Sequence, residues 1–234
     1  MRIVALLPMK ANSARVPGKN FRPLAGLPLF EWILRTLRAL PEIAEVVINT
    51  DARAHLAAAG LGEPERVRLR ERKPELCGDF VSMNLVLADD VAAVPADVYL
   101  MTHVTNPLLR AATIRRALAD FERARAAGQA DSLFSVNRFQ TRFYLADGTP
   151  VNHDPQNLVR TQDLPPYFEE NSNLYLFTAE SFAATRARVG RRPLLFETPR
   201  LESADIDDED GWRMAESLAG DCLRRSEPPW ALPA

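Results

Sequence analysis

Two stretches of the 234-residue chain carry side chains whose types and spacing suit chemistry on phosphate. The first is Lys10-Ala11-Asn12-Ser13-Ala14-Arg15-Val16-Pro17-Gly18-Lys19-Asn20, which holds three cations within ten residues. Cations combined with loop amides not taken up by a sheet are what a triphosphate needs from its site. The pattern G-x-x-x-x-G-K-[ST] is absent, so this is not a Walker loop. The loop cations read as solvent-exposed. The second stretch is Asp205-Ile206-Asp207-Asp208-Glu209-Asp210. In an extended segment side chains alternate with period two, which puts Asp205 and Asp207 on one face. Paired carboxylates so placed can hold Mg²⁺ together with phosphate oxygens. An EF-hand reading fails: with Gly211 as the turn glycine, the first and last ligand positions fall on Ile206 and Ser217. Asp208, Glu209 and Asp210 alone would suit an acidic helix start, but Asp205 lies outside that explanation.

These residues need a scaffold, and the apolar pattern supplies one. Residues 3–7 form a short continuous apolar run, the mark of a strand buried on both faces. Pro8 ends it, so the basic loop leaves its carboxyl end. Pro28 opens a helix with Leu29, Trp32, Ile33, Leu37 and Leu40 on one face. Further strands are expected at 46–48, 67–69, 98–101, 133–136 and 174–177. Helices are expected before Gly60, over 83–91 with Asp79 as cap, over 113–127 ending at Gly128, and over about 208–218. Strands alternating with helices predict an α/β fold of three layers around a mainly parallel sheet. Ligands in such folds bind outside the carboxyl ends of strands. The 234 residues are read as one domain, with an inserted arm at about 138–170 that carries a hairpin signal at Asp147-Gly148. Pro228-Pro229-Trp230 reads as an irregular surface tail.

Composition excludes several classes. Lys plus Arg is 29 against 31 Asp plus Glu, a formal charge of −2, without the basic excess of a general nucleic-acid binder. Hydrophobic residues are 47% and charged residues 26%, which excludes disordered and fibrous chains. No apolar run reaches the roughly 18 residues of a membrane span, and nothing reads as a signal peptide. Cys77 and Cys222 are too few for a disulfide scaffold, and Cys77, next to Gly78, has no evident activating base. The chain is expected to be cytoplasmic and reduced, with no nucleic-acid or membrane partner. His55 and His153 have no partner at metal-ligand spacing.

The motifs also occur in a familiar order. The loop after the first strand is followed by Pro23-Leu24-Ala25-Gly26-Leu27, then Thr50-Asp51, then Arg72 with Pro74 and Leu76. After these come Thr105-Asn106-Pro107-Leu108, Asp131-Ser132 with Ser135-Val136, Asn171 with Leu174-Tyr175, and Asp205-Ile206-Asp207 before an Ala215-Glu216 helix. Over residues 1–220 this resembles the cytidylyltransferases that activate 2-keto-3-deoxy sugar acids, the CMP-sialic acid synthetase (acylneuraminate cytidylyltransferase) group and its CMP-Kdo synthetase relatives. The resemblance implies a Rossmann-like nucleotidyltransferase fold with CTP and a sugar acid as substrates. Its implied reaction moves CMP onto the anomeric hydroxyl and releases pyrophosphate. Lys10, Arg15 and Lys19 would serve the triphosphate, and Ala11, Asn12, Ser13, Asn20, Arg72, Ser82 and His103 the nucleotide. Thr105, Asn106, Arg160, Gln162 and Tyr175 would serve the sugar, while Asp205 and Asp207 would hold Mg²⁺.

Three positions depart from that pattern: Lys10 replaces an Arg, Ser13-Ala14-Arg15 replaces Ser-Lys-Gly, and His103 replaces a Gln. They leave open an eight-carbon Kdo-type acid, a nine-carbon sialic-acid-like one, or a non-catalytic nucleotide-sugar binder, although a binder has no reason to keep both Asp205 and Asp207. The arm is rich in aromatic and Arg residues, types enriched at interface cores, and is long for a loop. The resemblance implies a homodimer in which this arm reaches the neighbouring site through Arg160 or Gln162.

Overall fold

In the computed structural model, which describes residues 1–13, 15–62 and 64–232, a seven-stranded sheet forms the centre. Ala14 of the basic loop lies outside the described residues. The strands are β1 (Ile3–Leu6), β4 (Ile43–Thr50), β5 (Val67–Glu71), β6 (Val98–Thr102), β7 (Ser132–Phe139), β8 (Tyr167–Phe177) and β9 (Pro193–Glu197). A two-stranded ribbon, β2 (Pro23–Leu24) with β3 (Leu27–Pro28), stands apart. Across the main sheet the order is β5-β4-β1-β6-β8-β7-β9. All neighbours run parallel except β8, which is antiparallel to β6 on one side and to β7 on the other.

The alternation along β1 divides the core in two. Ile3, Ala5 and Leu7 enter one apolar cluster with Leu29, Trp32, Ile33, Phe121 and Trp212, supplied by helices α1 (Leu29–Ala39), α4 (Ala111–Ala126) and α6 (Glu209–Arg224). Val4 and Leu6 enter the other, with Leu87, Tyr99, Met101, Tyr175, Phe177 and Phe182, covered by α3 (Met83–Ala93) and α5 (Ala179–Thr185). The remaining helix, α2 (Arg53–Ala58), follows β4. Helices on both faces of a mainly parallel sheet make the expected three layers.

Two local expectations are corrected. Asp79 does not cap α3; Ser82 holds the N-cap position without a side-chain bond, and the Asp79 carboxylate pairs with Lys10 instead. The tail is not a loose surface segment. Pro229 accepts a hydrogen bond from the Ala111 amide, and the Trp230 ring lies 5.4 Å from that of Trp32. The last helix begins where expected, and Asp208 caps it, accepting from the Gly211 amide at 2.8 Å. A Cβ on Gly211 would sit 2.9 Å from the Asp205 carbonyl, so the close return of the chain before α6 requires glycine there.

The base of the arm is a strand ladder, in which Arg138 faces Phe168 and Phe139 faces Tyr167. Beyond it the Asp147-Gly148 turn forms, with Leu145 and Thr149 bonded across it and Gly148 in the left-handed region. Tyr144, Leu145, Leu158, Val159, Tyr167 and Phe168 are exposed on this arm. Among the described residues no helix is long and apolar enough to cross a membrane.

Candidate active site

At the carboxyl ends of β1, β4 and β6 lies a cleft of about 540 Å³. Its lining includes Pro8, Lys10, Ser13, Arg15, Lys19, Asn20, Arg72, His103 and Thr105, together with Asp79, Phe80 and Met83 from the segment before and at the start of α3. The chain is positioned by the sheet before it becomes a loop. The Leu7 and Met9 amides still donate to Val47 and Asn49 carbonyls on β4, at 2.9 and 3.0 Å. Ala11 then donates to Asp51 at 2.7 Å, and the Asn20 amide group closes the loop on the Lys10 carbonyl at 2.7 Å. Gly18, at φ +64°, makes the reversal that an L side chain would resist.

The basic loop meets the acidic segment here. Lys19 is not exposed as the sequence suggested: its side chain is 9% accessible. The ammonium donates to the Ile206 carbonyl at 2.6 Å and lies 4.0 Å from Asp207. Burial pulls its pKa below the usual lysine value, and Asp207 and Asp205 oppose that effect. Arg15 donates to Asp207 at 2.8 Å. Ile206 is buried in the core while the carboxylates on either side of it are partly buried, which is the period-two arrangement expected of an extended segment. Both flank the cleft through Lys19 and Arg15 and are not part of its lining. Burial raises the Asp205 carboxyl above its ordinary range; a bond from Thr105 opposes this, and neighbouring Asp207 adds to it. Asp205 Oδ1 is buried without a partner. An orphaned carboxylate oxygen beside a second carboxylate is a hard donor set that suits a cation such as Mg²⁺. Among the described residues no group of three or more His, Cys, Asp or Glu could hold a metal, so phosphate and water oxygens would complete the shell.

On the opposite wall Arg72 is fixed by three acceptors: Asn49 Oδ1 at 3.0 Å, the Asn49 carbonyl at 2.7 Å and the Met9 carbonyl at 3.2 Å. The amide of Asn49 is in turn bonded to buried Asp90 at 2.8 Å. His103 is held strongly neutral, at about 3, first by burial and then by the charges of Arg188 and Lys19.

Other expected residues lie elsewhere in this chain. Ser82 is exposed at the start of α3, and Asn12 is exposed on the loop. Asn106 is fully buried and presents no surface to the cleft. Tyr175 is buried on β8, its hydroxyl bonded to Glu170. Arg160 and Gln162 sit on the arm, outside the cleft lining; Arg160 is paired with Asp163 at 2.8 Å, and the Gln162 carbonyl accepts from Gln140. Sequence reading missed Phe80, a fully exposed aromatic at the cleft mouth. Its isolation between Gly78-Asp79 and α3 was the available signal, since it fits no apolar period. It also missed Arg188, which lies in a run of arginines that reads as surface charge.

The chain is similar to known proteins over most of its length. The family model described as Cytidylyltransferase matches residues 4–198. N-acylneuraminate cytidylyltransferase of Oncorhynchus mykiss is 29% identical over 223 residues, covering 92% of this chain and 49% of that protein. CMP-N,N'-diacetyllegionaminic acid synthase of Legionella pneumophila is 27% identical over 229 residues, covering 93% and 96%. The chain therefore spans about half the length of the first relative and nearly all of the second. Among solved structures, CMP:2-keto-3-deoxy-manno-octonic acid synthetase complexed with CTP superposes with a TM-score of 0.65 at 15% identity, covering 94% of this chain and 99% of that one. At that identity the likeness is one of fold.

Proposed function

The chain belongs to the cytidylyltransferase family, and we propose that it transfers CMP from CTP to the anomeric hydroxyl of a sialic-acid-like 2-keto-3-deoxy sugar acid, releasing pyrophosphate. The observation that carries this reading is the junction at Lys19, where a buried ammonium sits against Asp207 and the Ile206 carbonyl with Arg15 on the same carboxylate. A nucleotidyl transfer asks for that combination: cations for the leaving pyrophosphate and carboxylates beside the reacting phosphorus. Names of relatives that act on N-acylneuraminate and on diacetyllegionaminic acid support the nonulosonate acceptor.

In this mechanism Lys10, Arg15 and Lys19 bind the triphosphate and take up the charge that develops on the departing pyrophosphate. Backbone amides of the 10–20 loop add neutral donors. Arg72, held rigid by Asn49, faces the base, and Phe80 offers it a ring to stack on. The acceptor hydroxyl attacks the α-phosphorus in line with the leaving oxygen, so catalysis is mostly positioning and charge neutralisation. Asp205 and Asp207 would hold Mg²⁺, which when bound neutralises phosphate charge and acidifies the acceptor hydroxyl. His103 acts as a neutral hydrogen-bonding group on the wall.

We also propose a homodimer, supported by the exposed Tyr144, Leu145, Leu158, Tyr167 and Phe168 of the arm. Arg160 or Gln162 would then reach the partner's cleft. The same reading places the protein in the cytoplasm, in keeping with two free cysteines. Ser13 and Arg15, spaced as in the Kdo-type enzymes, favour an eight-carbon acid as the second reading. Pyrophosphate release, measured with CTP, UTP and ATP against N-acetylneuraminate, legionaminate, pseudaminate and Kdo in Mg²⁺, tests the proposal. Release that needs both CTP and a nonulosonate supports it. Equal rates with all three nucleotides, or no release with any acid, refutes it.

A further inference from the structure

Arg188 stands in the loop between α5 and β9, and its side chain ends against His103 of the cleft lining. The guanidinium lies flat on Tyr175, its carbon 3.8 Å from the ring centroid. Nη1 donates to His103 Nε2 at 3.2 Å and touches Met101 Sδ at 3.7 Å. Nη2 donates to Glu170 Oε1 at 3.3 Å, and the backbone amide donates to Asn84 Oδ1 at 3.3 Å. Met101 and Tyr175 are direct cross-strand partners on β6 and β8, and both enter the core cluster under α3 and α5. His103 continues the same alternation past the end of β6. The sheet thus builds a platform on which the guanidinium rests, beside His103 of the cleft lining.

The charge on this platform is poorly matched. Its side chain is 19% accessible, and the carboxylate that meets it, Glu170, is 46% accessible. The 3.3 Å separation is long for a charge-assisted bond, which runs at about 2.7–2.9 Å. The same Glu170 oxygen also accepts the Tyr175 hydroxyl. Three of the contacts above use Nη1 and one hydrogen of Nη2. The Nε–H has no hydrogen-bond partner among the described residues, and with Nη2 it forms the planar edge that takes a carboxylate bidentately, an edge that Glu170 meets through Nη2 alone.

We propose that Arg188 recognises the carboxylate of the acceptor acid, with Tyr175 and His103 fixing the plane of its guanidinium. This rests on the sugar-acid reading above and deepens it. In a 2-keto-3-deoxy acid the carboxylate is bonded to the anomeric carbon, the carbon that bears the attacking hydroxyl. Holding the carboxylate therefore aims the nucleophile, and a cation there also offsets repulsion between the acid and the α-phosphate. Glu170 occupies part of the guanidinium in the free protein and gives way to the better-placed carboxylate.

The test compares N-acetylneuraminate with its methyl ester, in wild type and in the variants R188M, R188K and E170Q, by pyrophosphate release in CTP and Mg²⁺. R188M keeps the aliphatic stem on Tyr175 and removes only the donors. Wild type should prefer the acid over the ester by about 100-fold in kcat/KM, because a site built to hydrogen-bond a group rejects its absence. In R188M that preference should collapse to below about threefold while KM for CTP moves by less than about twofold, and R188K should recover part of the preference. E170Q should lower KM for the acid by about two- to fivefold by removing the competitor. A merely structural Arg188 would change rates with acid and ester alike, and an unchanged acid-to-ester ratio in R188M overturns the assignment. If R188M does not fold, a KM for the acid that is unchanged or raised in E170Q overturns it instead. Wild type that releases pyrophosphate with no acid overturns the sugar-acid reading itself, and the role of Arg188 with it.

Discussion

Arg15 Nη2 lies 2.8 Å from Asp207 Oδ1, joining two side chains 192 residues apart in sequence. The loop that leaves β1 and the segment that enters α6 are thereby closed over Lys19 into one polar surface. In the free protein the cation and the carboxylate satisfy each other. With a triphosphate in the cleft, Arg15 can turn to phosphate oxygens and release Asp207 for a cation.

Asp207→Asn should therefore cost about 100- to 1,000-fold in turnover, since the proposal makes Asp207 an anionic ligand at the reacting centre and the variant also loses an ion-pair partner. Asp207 is half exposed, so the melting temperature should stay close to wild type. Pyrophosphate release at saturating Mg²⁺ checks this; near-wild-type turnover would refute the assignment.

Arg15 and Lys19, both proposed to serve the triphosphate, should separate in their effects on stability. Arg15 is 67% accessible, and its truncation should move stability by less than about 0.5 kcal/mol. Lys19→Ala leaves the Ile206 carbonyl without its buried donor and should cost about 1–3 kcal/mol. Urea unfolding measures that difference, while calorimetry with CTP should show weaker binding by both variants. Equal CTP binding by the double variant would remove the loop from the phosphate site.

His103 gives a pH dependence with a definite sign. Burial and the nearby charges hold it at about 3, against an ordinary histidine value of 6.5. Between those values the unfolded chain carries a proton that the folded chain lacks. The stability it contributes is complete above about pH 6.5 and is lost as pH falls toward about 3. In His103→Gln, stability should fall less steeply across that window, by up to about 1.4 kcal/mol per pH unit, the value of one proton. Urea midpoints at a series of pH values test it; parallel curves for the two proteins would contradict it.

The arm is tested by mixing. An Arg160→Ala chain and an Asp207→Asn chain should each be nearly inactive as homodimers. If the arm completes the neighbouring site, a mixed dimer holds one site with neither lesion, and activity returns after subunit exchange. Continued inactivity after confirmed exchange, or a monomer by light scattering, removes the shared site.

Much of this arrangement is legible in the sequence because burial writes it there. Residues 3–6 are apolar on both faces, which marks a central parallel strand, and the basic loop then has to begin at its carboxyl end. Asp205 and Asp207 are legible as a pair for the same reason, since alternation sends Ile206 into the core. The direction of β8 is not legible: a strand buried on both faces has the same apolar run whichever way it points. Nor is the burial of Lys19, whose charge reads as surface until the fold brings the Ile206 carbonyl to its ammonium across 187 residues. Asp79 reads as a cap by its place before α3, but Lys10 claims its carboxylate across 69 residues. Arg188 is invisible for a similar reason. Its partners, Met101, His103, Glu170 and Tyr175, come from two strands that only the sheet order brings together.

The central claim, that the anomeric hydroxyl of a sugar acid attacks the α-phosphorus of CTP, is tested most directly by following one oxygen. N-acetylneuraminate labelled with oxygen-18 in its anomeric hydroxyl is incubated with the protein, CTP and Mg²⁺, and the products are weighed by mass spectrometry. The account predicts a CMP-sugar that keeps the label in its bridging oxygen, together with unlabelled pyrophosphate. A CMP-sugar without the label, or free CMP as the sole product, would contradict it.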